Sequence, residues 1–151
     1  MKITLAAVVP RRSRAKADAF ETLITDYTAR AARYVPTESV LFETDAALLA
    51  SLENSAGRVK PFVILLDSRG KQFSSEEIAA TLGTHRDQGT QRIVLAIGPA
   101  DGWTDPVRAR ADLLLSLGRI TLPHQLARVV LAEQVYRALT ILAGHPYHSG
   151  H

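Results

Sequence analysis

The chain has 151 residues, of which 46% are hydrophobic and 22% charged, the balance of a globular protein long enough to bury a core without disulfide or metal staples. It contains no cysteine, which excludes a disulfide framework, thiolate metal ligands and a cysteine nucleophile. A formal net charge of +3 and a pI near 9.5 make it mildly basic, compatible with an RNA partner and equally with an ordinary metabolic enzyme.

The apolar run at residues 3–9 has the outline of a secretory leader, but it is short and leads into Pro10, Arg11, Arg12 and Arg14 with no small-residue cleavage site. A buried first strand is expected there instead. No uncharged apolar stretch is long enough to span a bilayer, so a soluble, cytoplasmic protein without a membrane partner is expected. The cluster Arg11, Arg12, Arg14 and Lys16 after the strand fits either a solvated loop or a phosphate-binding patch. A helix is expected over residues 15–34, with Phe20, Leu23, Ile24 and Tyr27 spaced i, i+3, i+4, i+7 on one face. Residues 40–42 read as a short second strand, and residues 45–55 as a helix with Asp45 as N-cap.

The continuous apolar run at 62–66 suits a strand covered on both faces, ended by the turn Asp67-Ser68-Arg69-Gly70. Ser74 and Glu77 form a capping box opening a third helix. Residues 93–97 read as a fourth strand closed by Gly98-Pro99. Thr104-Asp105-Pro106 carries the chemistry of a helix start, and residues 113–117 read as a fifth strand. The last helix is expected over residues 124–143, with Leu131, Val135, Leu139 and Leu142 as its apolar stripe, widened by Leu126, Val129 and Val130. Glu133 and Arg137 mark its polar side, and Gly144 suits its C-cap. So broad an apolar surface fits a sheet alone, or a sheet on one side and a partner helix on another.

Five alternations of strand and helix imply an α/β fold, a parallel sheet with helices on both faces, in one domain over residues 1–151. Ligands of such sheets bind beyond the carboxyl ends of the strands, which here carry residues 66–70, 98–102 and 117–124. Gly98 and Gly118 suit either backbone contacts to a ligand or tight turns. The first strand is followed by no G-x-G-x-x-G, and the chain has no P-loop and no H-E-x-x-H. His145 and His148 flank Pro146, which disfavours helical metal-ligand geometry, so no metal is expected. His151 is the fifth histidine after His85, His124, His145 and His148. The terminal His145-Pro146-Tyr147-His148 is dense in donors and aromatics, suited to stacking on a base or to docking the terminus onto the sheet.

Three stretches in register over nearly the whole chain carry a family likeness: residues 66–79, residues 94–102, and residues 115–138 with the terminal His145-Pro146-Tyr147-His148. The combination of Thr121-Leu122-Pro123-His124, Arg128, Glu133-Gln134, Tyr136-Arg137-Ala138 and that tail resembles the RlmH-type ribosomal RNA methyltransferases of the SPOUT class. The resemblance implies a parallel-type sheet flanked by helices with a C-terminal trefoil knot. It implies S-adenosyl-L-methionine bound at Leu66, Gly98, Leu117, Gly118, Arg119, Ile120, Thr121 and Leu122. It also implies a homodimer packed through the last helix, each RNA site joining the knot of one subunit to the tail of the other. The implied reaction is methylation of N3 of a pseudouridine in helix 69 of 23S ribosomal RNA, within the assembled ribosome.

Within that resemblance, Tyr147 and His148 are expected to place the nucleobase, and Arg128 and His124 to supply charge near the knot. No single general base is assigned. The chain departs from the family in having Gly98-Pro99 where two glycines are usual, Arg119 in place of a smaller residue, and Pro10-Arg11-Arg12 in place of a glycine-lysine turn. Pro99 removes a backbone N–H and motivates a rival reading, a SPOUT-fold RNA-binding module without methyltransferase activity. A flavodoxin-like protein is a third reading, which lacks any phosphate loop.

Overall fold

The computed structural model describes residues 1–14, 18–54 and 57–149. Five parallel strands, β1 (Lys2–Val8), β2 (Thr37–Phe42), β3 (Phe62–Gln72), β4 (Arg92–Ile97) and β5 (Leu113–Ser116), form one sheet in the order β2-β1-β4-β3-β5. Alternate side chains of the central strands feed two cores. Ile3, Leu5, Ala7, Ile93, Leu95 and Ile97 face α1 (Ala19–Ala32), α3 (Ser75–Asp87) and α5 (His124–Leu142). Ala6, Val8, Val63, Leu65, Val94 and Ala96 face α2 (Asp45–Glu53) and α4 (Asp105–Ala109). This two-sided burial is why the strands read as continuous apolar runs.

The expected alternation holds, with local differences. Asp18, whose carboxylate accepts the Glu21 N–H at 2.9 Å, caps α1; the start expected at Ala15 lies outside the described residues, as does Lys16. The buried face of α1 is Ile24, Thr28 and Ala31. Phe20 and Leu23 instead stand 38% and 43% exposed, because only one edge of the apolar stripe meets the sheet. Thr44, not Asp45, is the N-cap of α2. Asp45 is the first helical residue, and its carboxylate accepts the Thr104 N–H at 3.3 Å. The capping box at Ser74 and Glu77 is present. Helix α5 packs on the sheet between α1 and α3.

The largest departure is in β3. The turn expected to end it at Gly70 is an arch within a longer strand. Leu66 pairs with Leu115, residues 67–70 bow out of the ladder, and Lys71 pairs with Leu115 again. Asp67 organises the bow by accepting the Arg69 N–H at 2.8 Å, the local turn chemistry visible in the sequence. Gly70 then lies directly against the β5 backbone: a Cβ there would stand 2.6 Å from the carbonyl carbon and oxygen of Leu114. No side chain fits this approach. Gly70→Ala is therefore expected to cost on the order of 2–4 kcal/mol, as an overpacked site with rigid neighbours does. Urea unfolding measures it; a loss below about 0.5 kcal/mol would show that the arch moves freely.

Candidate active site

In a parallel sheet all strand C-termini lie on one edge, and here β3, β4 and β5 are adjacent. The bow of β3 and the loops after β4 and β5 enclose a cavity of about 880 Å³, lined by Leu66, Gly98, residues 117–122 and His124 among others. All eight positions expected to hold a cofactor are thus brought together. Gly98 sits on the face of Trp103, where a Cβ would stand 2.8 Å from Cε2 of the indole. Gly118 has φ +125 and is held by buried Ser116, whose hydroxyl donates to the Gly118 carbonyl at 2.9 Å and accepts its N–H at 3.2 Å. Arg119 and Ile120 are exposed at the rim. No hydrogen bond within the described residues engages the backbone N–H or C=O of Arg119, Ile120, Thr121 or Leu122. The loop therefore offers a run of unspent backbone donors and acceptors beside the cavity.

His124 opens α5 at the cavity wall. Its Nε2 lies 2.8 Å from the Gly98 carbonyl; a carbonyl can only accept, so Nε2 carries the proton. Burial pushes its pKa below the ordinary histidine value, and the nearby Arg128 charge adds to this, against an opposing contribution from the Gly98 carbonyl. His124 is therefore neutral at neutral pH and supplies no charge there. Asp67, also on the wall, behaves oppositely. Burial alone would raise its pKa, but the Arg69 N–H and the Arg108 guanidinium, 3.2 Å away, outweigh that and hold it below the ordinary carboxylate value.

The other three expected site residues lie elsewhere. Arg128 is buried at the junction of α1 and α5, paired with Glu21 and beside Ala7, Ile97 and Leu131. The tail forms a 3-10 turn, Pro146–His148, docked on helices α5 and α3 rather than on the sheet. The Tyr147 hydroxyl donates to Glu133 Oε1 at 3.1 Å, its ring stacks edge-on against Tyr136, and the Arg137 guanidinium lies 4.8 Å from its centroid. Burial, with Glu133 next in weight, pushes the Tyr147 pKa up to about 12. His148 accepts from Arg137 Nη1 at Nδ1 (3.0 Å) and donates from Nε2 to Glu76 (2.7 Å). Glu133 and Arg137, expected on a solvated face, are thus partly covered by the tail. From His124 to Glu133, the first α5 residue the tail touches, the axial rise is about 14 Å, and none of Pro146, Tyr147 and His148 lines the cavity of its own chain.

Trp103 and Ser116 shape the cavity wall without standing out in the sequence. Only the lone tryptophan beside a strand-end glycine gives a signal. Among the described residues no group of His, Cys, Asp or Glu could hold a metal ion, and no helix is long and apolar enough to cross a membrane.

A family model described as a predicted SPOUT methyltransferase matches residues 1–148. The chain belongs to that family. A SPOUT relative from Koribacter versatilis, named ribosomal RNA large subunit methyltransferase H, is 51% identical over 138 residues, covering 91% of this chain and 94% of its own. One of the same name from Allorhizobium ampelinum is 42% identical over 162 residues, covering 98% and 99%. Among solved structures, the SpoU methyltransferase AviRb from Streptomyces viridochromogenes, in complex with the cofactor AdoMet, superposes with a TM-score of 0.55 at 12% identity, over 95% of this chain and 59% of its own. A probable methylase family protein from Haemophilus influenzae gives 0.55 at 12% identity, over 98% and 70%. Those two likenesses establish the SPOUT methyltransferase fold.

The neutral His124 yields a test. Its folded pKa lies below the unfolded value, so the unfolded chain binds more protons in that range. Stability is therefore expected to fall as pH drops from about 7 through the ordinary histidine pKa near 6.5 toward the lower folded value. NMR titration of the imidazole should place its midpoint below 6.5, and His124→Gln should flatten the pH dependence of Tm. A midpoint above 7 would contradict the burial described.

Proposed function

We propose that this chain is an S-adenosylmethionine-dependent methyltransferase that methylates N3 of a pseudouridine in helix 69 of large-subunit ribosomal RNA. The observation that carries the reading is the convergence of Leu66, Gly98 and residues 117–122 on one cavity, in a chain 51% identical to a relative named as a large-subunit RNA methyltransferase. The residues present fit the donor. A cavity of about 880 Å³ has the size of small-molecule sites, and the free backbone groups of residues 119–122 suit an adenine edge. In this reading the bowed β3 and the β5–α5 loop form a trefoil knot around the cavity.

When bound, S-adenosylmethionine supplies an activated methyl group on a sulfonium. The chain's own residues align the reactants. Leu66, Gly98 and the 117–122 loop hold the donor through backbone contacts, and alignment of donor and acceptor supplies most of the rate. The pseudouridine N3–H must be lost as the N–C bond forms, and with no residue assigned as its base the proton passes to solvent. Tyr147, with a pKa of about 12 in its docked position, acts there as a neutral hydroxyl and not as a phenolate base. Tyr147 and His148 place the nucleobase. Because neither lines the cavity of its own chain, a second copy supplies them in this reading. The exposed Phe20 and Leu23 on α1 and Leu126 on α5 provide apolar surface for that pairing.

The expected product appears when the chain is incubated with ribosomes and labelled S-adenosylmethionine and the RNA is digested to nucleosides: label in methylated pseudouridine from helix 69. Tyr147→Ala and His148→Ala should each lower turnover about 100-fold while binding of S-adenosylhomocysteine stays within about twofold. Unlabelled RNA overturns the reading, and unchanged turnover in both variants removes the tail from the site. Pro99 favours one alternative, an RNA-binding module; absence of any calorimetric heat with S-adenosylmethionine would support it.

A further inference from the structure

Trp103, the one tryptophan of the chain, has no part in the chemistry proposed above. It lines the cavity wall while only 6% exposed. Its indole N–H donates to the Leu66 carbonyl at 2.9 Å, at the point where β3 leaves the ladder. Its ring face closes on Gly98, where an added Cβ would come within 2.8 Å of Cε2 and 2.9 Å of Cδ2. Its own carbonyl accepts from Arg108 Nη2 at 3.4 Å, and Arg108 Nε donates to Asp67 Oδ2 at 3.2 Å. One side chain therefore touches the ends of two strands, and its backbone is tied through Arg108 to the residue after Leu66.

A buried indole N–H needs an acceptor, and here the nearest acceptor belongs to a residue of the donor pocket. The bond fixes the direction of the Leu66 peptide. The ring sets how far the Gly98 loop can close, because no atom separates the indole from the Gly98 backbone. Core packing alone would require the ring but not the N–H: Trp103 belongs to the same core as Leu48, Val63 and Val107, where a large apolar side chain serves.

We propose that Trp103 is a positioning residue for the methyl donor, clamping the Leu66 and Gly98 strand ends in the arrangement that the donor pocket requires. The proposal rests on the reading that this cavity takes S-adenosylmethionine. It acts through Leu66 and Gly98, so its signature is donor affinity: KM for the donor should rise with kcat little changed.

The test titrates S-adenosylhomocysteine into the full chain, by calorimetry and by tryptophan emission. Emission of the wild type, which comes from Trp103 alone, should change and saturate with the calorimetric constant. Trp103→Phe keeps a ring against Gly98 and loses the N–H; binding should weaken about five- to tenfold with little change in Tm. Val107→Ala, in the same core and off the cavity, should lower Tm and leave the constant within about twofold, separating clamping from stability. Wild-type binding with an unchanged constant for Trp103→Phe, or saturation without any emission change, overturns the role of Trp103 alone. A wild-type chain that binds nothing overturns the donor reading of the cavity and the clamp with it.

Discussion

The backbone of Gly70 lying against Leu114 and Leu115 is the contact on which the rest of the site depends. It lets β3 leave the ladder after Leu66 and return at Lys71 opposite the same residue of β5. Of the four residues released, Asp67, Ser68 and Arg69 line one wall of the cavity. With parallel register, the ends of β4 and β5 rise on the same edge and supply the other two walls. Within the bow Asp67 is held between the Arg69 N–H and Arg108, which keep its pKa below the ordinary carboxylate value despite its burial.

The second constraint is distance. Helix α5 starts at the cavity with His124 and carries the tail at its far end, where Glu133, Arg137 and Glu76 hold Tyr147 and His148. Tyr147 and His148 do not line the cavity of their own chain. Each copy therefore presents a donor cavity at one end and a base-handling tail at the other, in the proposed reading. The pair of buried Arg128 and half-exposed Glu21 fastens α1 to α5. Removal of either member would leave the other charge poorly compensated.

Local chemistry is what the sequence makes legible. The strand–helix alternation, the Ser74–Glu77 capping box and the strand-end glycines each rest on neighbours within a few residues, and each stands where those neighbours place it. Non-local geometry is what it hides. The turn signal at Asp67 is real, yet Lys71 and Gln72 rejoin the sheet because β5, some forty residues later, offers them a ladder. Phe20 and Leu23 share a helical face with Ile24, but the sheet reaches only Ile24. The eight donor positions follow from the family likeness and converge as a cavity. Trp103 and Arg128 take partners in Leu66 and Glu21 that no spacing rule links to them.

In the proposed reading, cavity and tail form one site by pairing two copies. Subunit complementation tests it most directly: a variant with its cavity filled at Gly98 is mixed, after unfolding and refolding together, with Tyr147→Ala. Neither variant methylates ribosomes alone, and random pairing should restore about a quarter of wild-type activity, since half the dimers then carry one intact site of two. No recovery in a mixture shown to contain mixed dimers would contradict the account.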